Sequence, residues 1–185
     1  MTVTFDNDEF IRPETTTESL ASLRAAFTED GLVTAGNSSG INDGTASLVL
    51  ANSAALETHK VNPLARIIAY GFGGVPPRIM GMGPVPASEM ALERSGLSVD
   101  DLDLIESNEA FAAQACAVSR QLNLDPARVN PNGGAIALGH PVGATGAIIM
   151  TKLIHELHRI NGRYGMATMC IGGGQGISVV IDAKP

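Results

Sequence analysis

The sequence predicts an α/β fold: a mixed, mostly parallel sheet with helices on both faces, closed by an antiparallel final strand. Three observations carry that expectation. Helical and strand patterns alternate along most of the chain. The 185 residues are 44% hydrophobic but only 4% aromatic and include 21 glycines, a balance that favours close backbone packing around small residues. The last two strand patterns are joined by a short Gly172-Gly-Gly-Gln turn. The length suits one domain, or one domain with an appendage.

Before Ser39 the chain shows one helical pattern, Thr17–Phe27, with Leu20, Leu23 and Phe27 at helical spacing and Thr17 as its cap. The polar opening around Phe5–Pro13 has little to pack on and reads as the tail of a unit begun upstream. Residues 32–44 are a loop of small polar residues, which can offer backbone N–H groups to a ligand or serve as an ordinary turn. Thr45–Lys60, rich in Ala, Leu and Val, predicts a well-buried helix with His59 as a cation at its C-terminal end. Ala65–Gly71 predicts a strand. The Gly-Phe-Gly-Gly that ends it is no dinucleotide site, because Pro76 and Pro77 forbid the helix such a site needs. Met80–Pro86 is expected to be extended, since residues preceding proline leave the helical region. Ala87–Ser95 then forms a short helix ended by Gly96.

Asp100–Ser107 alternates into a strand, with Leu102 and Leu104 on one face. Asn108 follows, at the junction to a helix over Glu109–Leu122. It is either the N-cap of that helix or a polar group at the C-terminal edge of the sheet, where open α/β sheets place ligands. Cys116, among alanines in that helix, is expected to be a buried small hydrophobe. Val129–Leu138 crosses to a Gly139-His140-Pro141 turn, and a helix runs from Gly143 to Arg159 with His155 and His158 in solvent at its end. Its start lacks the Gly-Lys-Ser/Thr of a phosphate-binding loop. Tyr164–Ile171 and Gly176–Ala183 complete the pattern as buried strands.

Charge and cysteine usage narrow the function classes. The net charge is −7 and no basic run occurs, so nucleic-acid binding has no electrostatic footprint. An anionic ligand would need local donors. Two cysteines, Cys116 and Cys170, make no disulfide framework and fit a reducing compartment, with a cytoplasmic setting expected. No apolar run approaches the roughly 18 residues of a membrane span, so no membrane partner is expected.

Two residues stand beside glycine-rich turns. Cys170 ends a strand and faces Gly172, Gly173 and Gly174, whose free N–H groups could form an anion-stabilising nest and lower the thiol pKa. His140 sits on a rigid turn, where its ring could orient a thiol or polarise a carbonyl. Each also has a plainer reading, Cys170 as a core residue and His140 as part of a turn. No metal is expected, because no other Cys or His shows ligand spacing.

Taken together, Ser-Asn108-Glu-Ala-Phe, Asn132-Gly-Gly-Ala-Ile-Ala-Leu-Gly-His140-Pro and Cys170-Ile-Gly-Gly-Gly-Gln-Gly closely resemble the thiolase family, most nearly its acetyl-CoA acetyltransferases. Ala35-Gly-Asn-Ser-Ser39-Gly and Met80-Gly-Met-Gly-Pro-Val-Pro match further family blocks. The resemblance implies a thiolase-type C-terminal domain over 41–185, with residues 1–40 as the tail of a loop domain. It implies a reversible Claisen condensation of acyl-CoA molecules, with the coenzyme A thioester as substrate and no further cofactor. By resemblance, Cys170 takes a proton from the acetyl methyl. His140 activates the nucleophilic thiol and, with a water held by Asn108, stabilises the enolate or thioester oxygen, while the Gly172 N–H serves the other oxyanion hole. Ser39 would contact the pantetheine, Met80 would line the acyl pocket, and Arg12 would lie near the nucleotide.

One departure is large. Thiolases pair two similar halves, and the N-terminal half supplies the nucleophilic cysteine, for which this chain has no matching block. The resemblance therefore implies a partner, an N-terminal thiolase half or subunit, homo-oligomers of the complete enzyme, and no turnover by this chain alone. The competing reading is a non-catalytic module that binds coenzyme A or merely associates. A ketoacyl synthase, which uses two histidines, fits less well with the Asn-Glu-Ala-Phe block.

Overall fold

A computed structural model describes residues 4–8 and 10–185. Part of the irregular opening expected before Pro13, namely Met1–Val3 and Glu9, lies outside the described residues. The elements are α1 (Thr17–Ala21), α2 (Ser53–His59), β1 (Arg66–Gly74), α3 (Pro84–Ser95), β2 (Leu104–Ser107), α4 (Ala112–Gln121), α5 (Ala135–Leu138), α6 (Thr145–Arg159), β3 (Tyr164–Ile171) and β4 (Gln175–Asp182).

The four strands form one mixed sheet in the order β1-β4-β3-β2. β2 and β3 pair in parallel, while β4 pairs antiparallel with β3 on one side and β1 on the other. β1, β2 and β3 thus share one direction and the final strand opposes them, as expected. The correction concerns placement. β4 inserts between β1 and β3 instead of closing an edge, so most hydrogen-bonded pairing is antiparallel and the sheet is not mostly parallel in its ladders. The tight turn at 172–174 forces β4 to lie beside β3, and β1 then pairs along β4's open edge. One parallel bridge, Ile105 to Val129, extends the sheet beyond β2.

Strand alternation divides the core between two faces. Ile105, Met166 and Val180 join Val85, Ala91, Leu92 and Val118 beneath α3 and α4. Their neighbours Leu104, Ala167 and Ile181 join Ile149, Leu153 and Leu157 beneath α6. Helices cover both faces. Where α3 meets the strands, Ser88, Thr168 and Ser178 bury their hydroxyls against one another at 2.6–3.2 Å, so no polar atom there goes unpaired.

Several local expectations fail for identifiable reasons. The helix expected over 45–60 forms only at 53–59, where Asn52 caps it by accepting the Ala55 N–H at 2.9 Å. Val49 and Leu50 before it are exposed, not buried. Thr16, not Thr17, caps α1, in a reciprocal box with Ser19 that ends after Ala21. Met80–Pro86 is not extended: a 3-10 turn covers Pro77–Met82 and α3 begins at Pro84. Proline is tolerated in a first helical turn because its missing N–H would be unbonded anyway. α4 begins three residues later than expected, so Asn108 is not its N-cap. Cys116 lies on the exposed side of α4.

Candidate active site

Four loops meet above the C-terminal ends of β2 and β3. The Asn108 N–H donates to Thr168 O at 2.9 Å, which continues the β2–β3 pairing one residue beyond the strand and fixes the Asn108 backbone. Its side chain is buried. The loop after Ser39 is tied to the same place, because the Ser39 N–H donates to Ala110 O at 3.1 Å and Ser38 bridges Phe111. Glu109 holds the third loop: its carboxylate accepts from the Asn130 Nδ2 at 3.2 Å and from the Ile136 N–H at 3.2 Å.

His140 is held at backbone and ring. Gly139 before it has φ +99°, a conformation glycine adopts readily, and a Cβ there would strike the Asn42 side chain. The His140 N–H donates to Gly40 O and Asn42 Oδ1, both at 3.2 Å. In the ring, Nδ1 lies 2.7 Å from Thr145 Oγ1 and Nε2 lies 3.5 Å from Asn108 Nδ2. Partial burial lowers the imidazole pKa below its ordinary 6.5, so the ring is neutral at pH 7 and has a free lone pair.

Cys170 is buried at the end of β3, and burial pushes its thiol pKa up. This reverses the lowering expected from the glycine turn. The desolvation cost of a thiolate there outweighs the backbone hydrogen bond that favours it. The resting group is a thiol.

A cavity of about 730 Å³ opens beside these residues and is lined by His140, Cys170, Gly172, Ser39 and Met80, with Phe27, Phe111 and Met169 among its apolar walls. Asn108 is not part of that lining. It stands behind His140, on a small pocket shared with Glu106, Thr145 and Lys152. Arg12 is exposed, its guanidinium donating to Ile11 O at 3.3 Å, and it does not line the cavity. The structure therefore gathers five of the seven residues singled out in the sequence around one cavity, places Asn108 against the imidazole, and leaves Arg12 outside. Among the described residues, no three His, Cys, Asp or Glu side chains converge to hold a metal ion, and no helix is long and apolar enough to cross a membrane.

Sequence reasoning missed Thr145 and the Glu106–Lys152 pair. Lys152 donates to Glu106 Oε2 at 2.8 Å and to Gly133 O at 2.6 Å, and Glu106 is buried under Asn108's loop. The available signal was a glutamate in phase with Leu102 and Leu104 on the apolar face of its strand, and a single lysine midway along an apolar helix.

Residues 61–183 match the family description "Thiolase, C-terminal domain", and residues 1–54 match "Thiolase, N-terminal domain". The chain belongs to the thiolase family. It is 58% identical over 181 residues to the beta-ketothiolase BktB of Cupriavidus necator, a match that covers 97% of this chain and 46% of that protein. It is 55% identical over 178 residues to a 3-oxoadipyl-CoA/3-oxo-5,6-dehydrosuberyl-CoA thiolase of Escherichia coli, covering 95% of this chain and 44% of that one. Its fold superposes on the Bacillus anthracis acetyl-CoA acetyltransferase with a TM-score of 0.92 at 50% identity, over 97% of this chain and 46% of the other. This thiolase chain spans less than half the length of the curated relatives it matches. Other similar relatives are named acetyl-CoA acetyltransferase and 3-ketoacyl-CoA thiolase.

Proposed function

We propose that this chain supplies the acid/base and oxyanion side of a thiolase active site that interconverts two acetyl-CoA with acetoacetyl-CoA and coenzyme A. The observation that carries this reading is the shared cavity: a neutral imidazole and a buried thiol face one apolar-walled space large enough for an acyl-pantetheine end. The nucleophilic cysteine comes from an N-terminal thiolase half, and residues 1–40 are the tail of a loop domain leading into the C-terminal domain. Homo-oligomers of the completed enzyme belong to the same reading.

In thiolysis, the partner's thiolate adds to the 3-keto carbon and the C2–C3 bond breaks. The electron pair stays on C2 as the acetyl-CoA enolate, and the Cys170 S–H delivers its proton there. A thiol with a raised pKa is in the correct state for that step. In condensation the same sulfur, as thiolate, removes a proton from the acetyl methyl. His140 takes the proton of the attacking thiol and then presents Nε2–H to the thioester oxygen, with a water held by Asn108. The Gly172 N–H donates to the oxygen that gains charge in the other half-reaction. Each aimed donor of this kind is worth about 3 kcal/mol in the transition state. Ser39 meets the pantetheine and Met80 the acyl group.

The test is complementation. The chain alone shows no turnover; mixed with a thiolase N-terminal half, it supports acetoacetyl-CoA cleavage. A stable, folded complex without activity would instead favour a module that only binds or associates. In the active complex, Cys170→Ser lowers the carbon–carbon step by about 10²–10⁴-fold, while acyl transfer from acetyl-CoA onto the partner cysteine persists. Equal loss of both steps would remove Cys170 from the role of acid and base.

A further inference from the structure

We infer that Thr145 fixes His140 as the Nδ1–H tautomer and so makes Nε2 the basic nitrogen facing Asn108. Thr145 is buried in the first turn of α6, and its Oγ1 has two neighbours, Pro141 O at 2.9 Å and His140 Nδ1 at 2.7 Å. A hydroxyl carries one hydrogen. Pro141 O, which also accepts the N–H groups of Ala144 and Thr145, has no proton to offer. When the hydroxyl donates to Pro141 O, its lone pair can hold the imidazole only by accepting Nδ1–H. Nε2 is then unprotonated and accepts from the Asn108 Nδ2 at 3.5 Å.

The opposite assignment conflicts with Asn108. If Thr145 donated to Nδ1, the ring proton would sit on Nε2 and face the Asn108 NH₂ group, donor against donor. Only a turned Asn108 amide, with its unpartnered Oδ1 brought to Nε2–H, would relieve that conflict, so the assignment rests first on the Thr145 hydroxyl. With the Asn108 amide oriented as in this structure, the Nδ1–H form alone satisfies all three contacts together. Thr145 does not line the large cavity; it is a positioning residue, acting through the imidazole as a carboxylate does in hydrolytic triads.

The tautomer can be read without turnover. Long-range ¹⁵N–¹H correlation spectra of the full chain, recorded well above the ordinary imidazole pKa of 6.5, distinguish pyrrole-type from pyridine-type ring nitrogens. His140 is assigned by its loss in His140→Gln. We expect Nδ1 to be pyrrole-type in the wild type and in Thr145→Ser, and Nε2–H to gain population in Thr145→Val. A protonated Nε2 in the wild type, or a Thr145→Val spectrum identical to the wild type, would overturn the inference. The catalytic consequence rests on the role proposed above for His140. In a complemented enzyme Thr145→Val should lower kcat by about 10–10²-fold, part of the usual acid–base contribution, with KM nearly unchanged and Thr145→Ser restoring the rate. Should the spectra behave as stated while no complex turns over, the tautomer stands and the functional reading falls.

Discussion

Residues 102–183 and the segment 32–65 carry similar apolar patterns and meet opposite fates. In the first region Leu157, on α6, is 0% exposed and packs with Leu153 and Ile149 against the strands. In the second, Val49 is 94% exposed and Leu50 77%. An amphipathic pattern states that a face should be covered; it does not say by what. The first region finds its cover in the sheet of the same chain. The second presents a contiguous run of apolar side chains, the kind of surface that marks an interaction site. The cavity lies at their boundary, with His140 and Cys170 on the packed side and Ser39 and Ile41 on the other.

The sharpest way to break this contrast is to attack the buried charge pair in the packed region. Lys152→Met leaves Glu106 buried without its cation, a change that typically costs about 3–5 kcal/mol. The sign of the pH dependence follows from Glu106, whose carboxyl is raised above 4.5 by burial. Between 4.5 and the folded value, the folded state holds a proton that the unfolded state has lost. Stability in that window therefore falls as pH rises and is fully recovered below 4.5. Losing the lysine pushes the folded value higher still. Urea melts should thus show the variant's deficit largest near neutrality and shrinking as pH is lowered; a deficit independent of pH would show that Glu106 is not the group left stranded.

Leu157→Ala sharpens the same contrast without charge. Removing three buried side-chain carbons between helix and sheet should cost about 2–5 kcal/mol, read as a lower urea midpoint at constant slope. A loss under about 1 kcal/mol would mean that α6 is not packed as tightly as its burial implies.

Local pattern reached far in the packed region and stopped at its contacts. β1, β3, β4 and α6 are close to where alternation, helical spacing and glycine punctuation put them, because each is bounded by residues that cannot continue it. The insertion of β4 between β1 and β3 was not legible, since strand order is a property of pairing across about a hundred residues. His140 and Cys170 could be singled out because each adjoins a glycine turn with an unusual polar residue. Thr145 could not, because its importance lies in a single 2.7 Å contact made by the turn between them. Cys116 was misplaced for the reason that governs the whole comparison: alanine-rich surroundings look the same on a covered face and an open one.

The smallest effect is the most informative about the second region. Leu50→Ala removes an apolar side chain that has no cover in this chain, so its stability should stay within about 0.5 kcal/mol of the wild type. Leu157→Ala supplies the matched control, with the same chemical change and the opposite burial. On mixing with a thiolase N-terminal half the order should reverse in one respect. Leu50→Ala should weaken association, measured by titration calorimetry or sedimentation, whereas folded Leu157→Ala chains should bind almost normally. A Leu50→Ala chain that is destabilised on its own would show that residues 45–52 pack within this chain. One that binds the N-terminal half with unchanged affinity would show that this apolar run is not the docking surface, and the search would move to the exposed side chains Ile67, Tyr70 and Phe72 along β1.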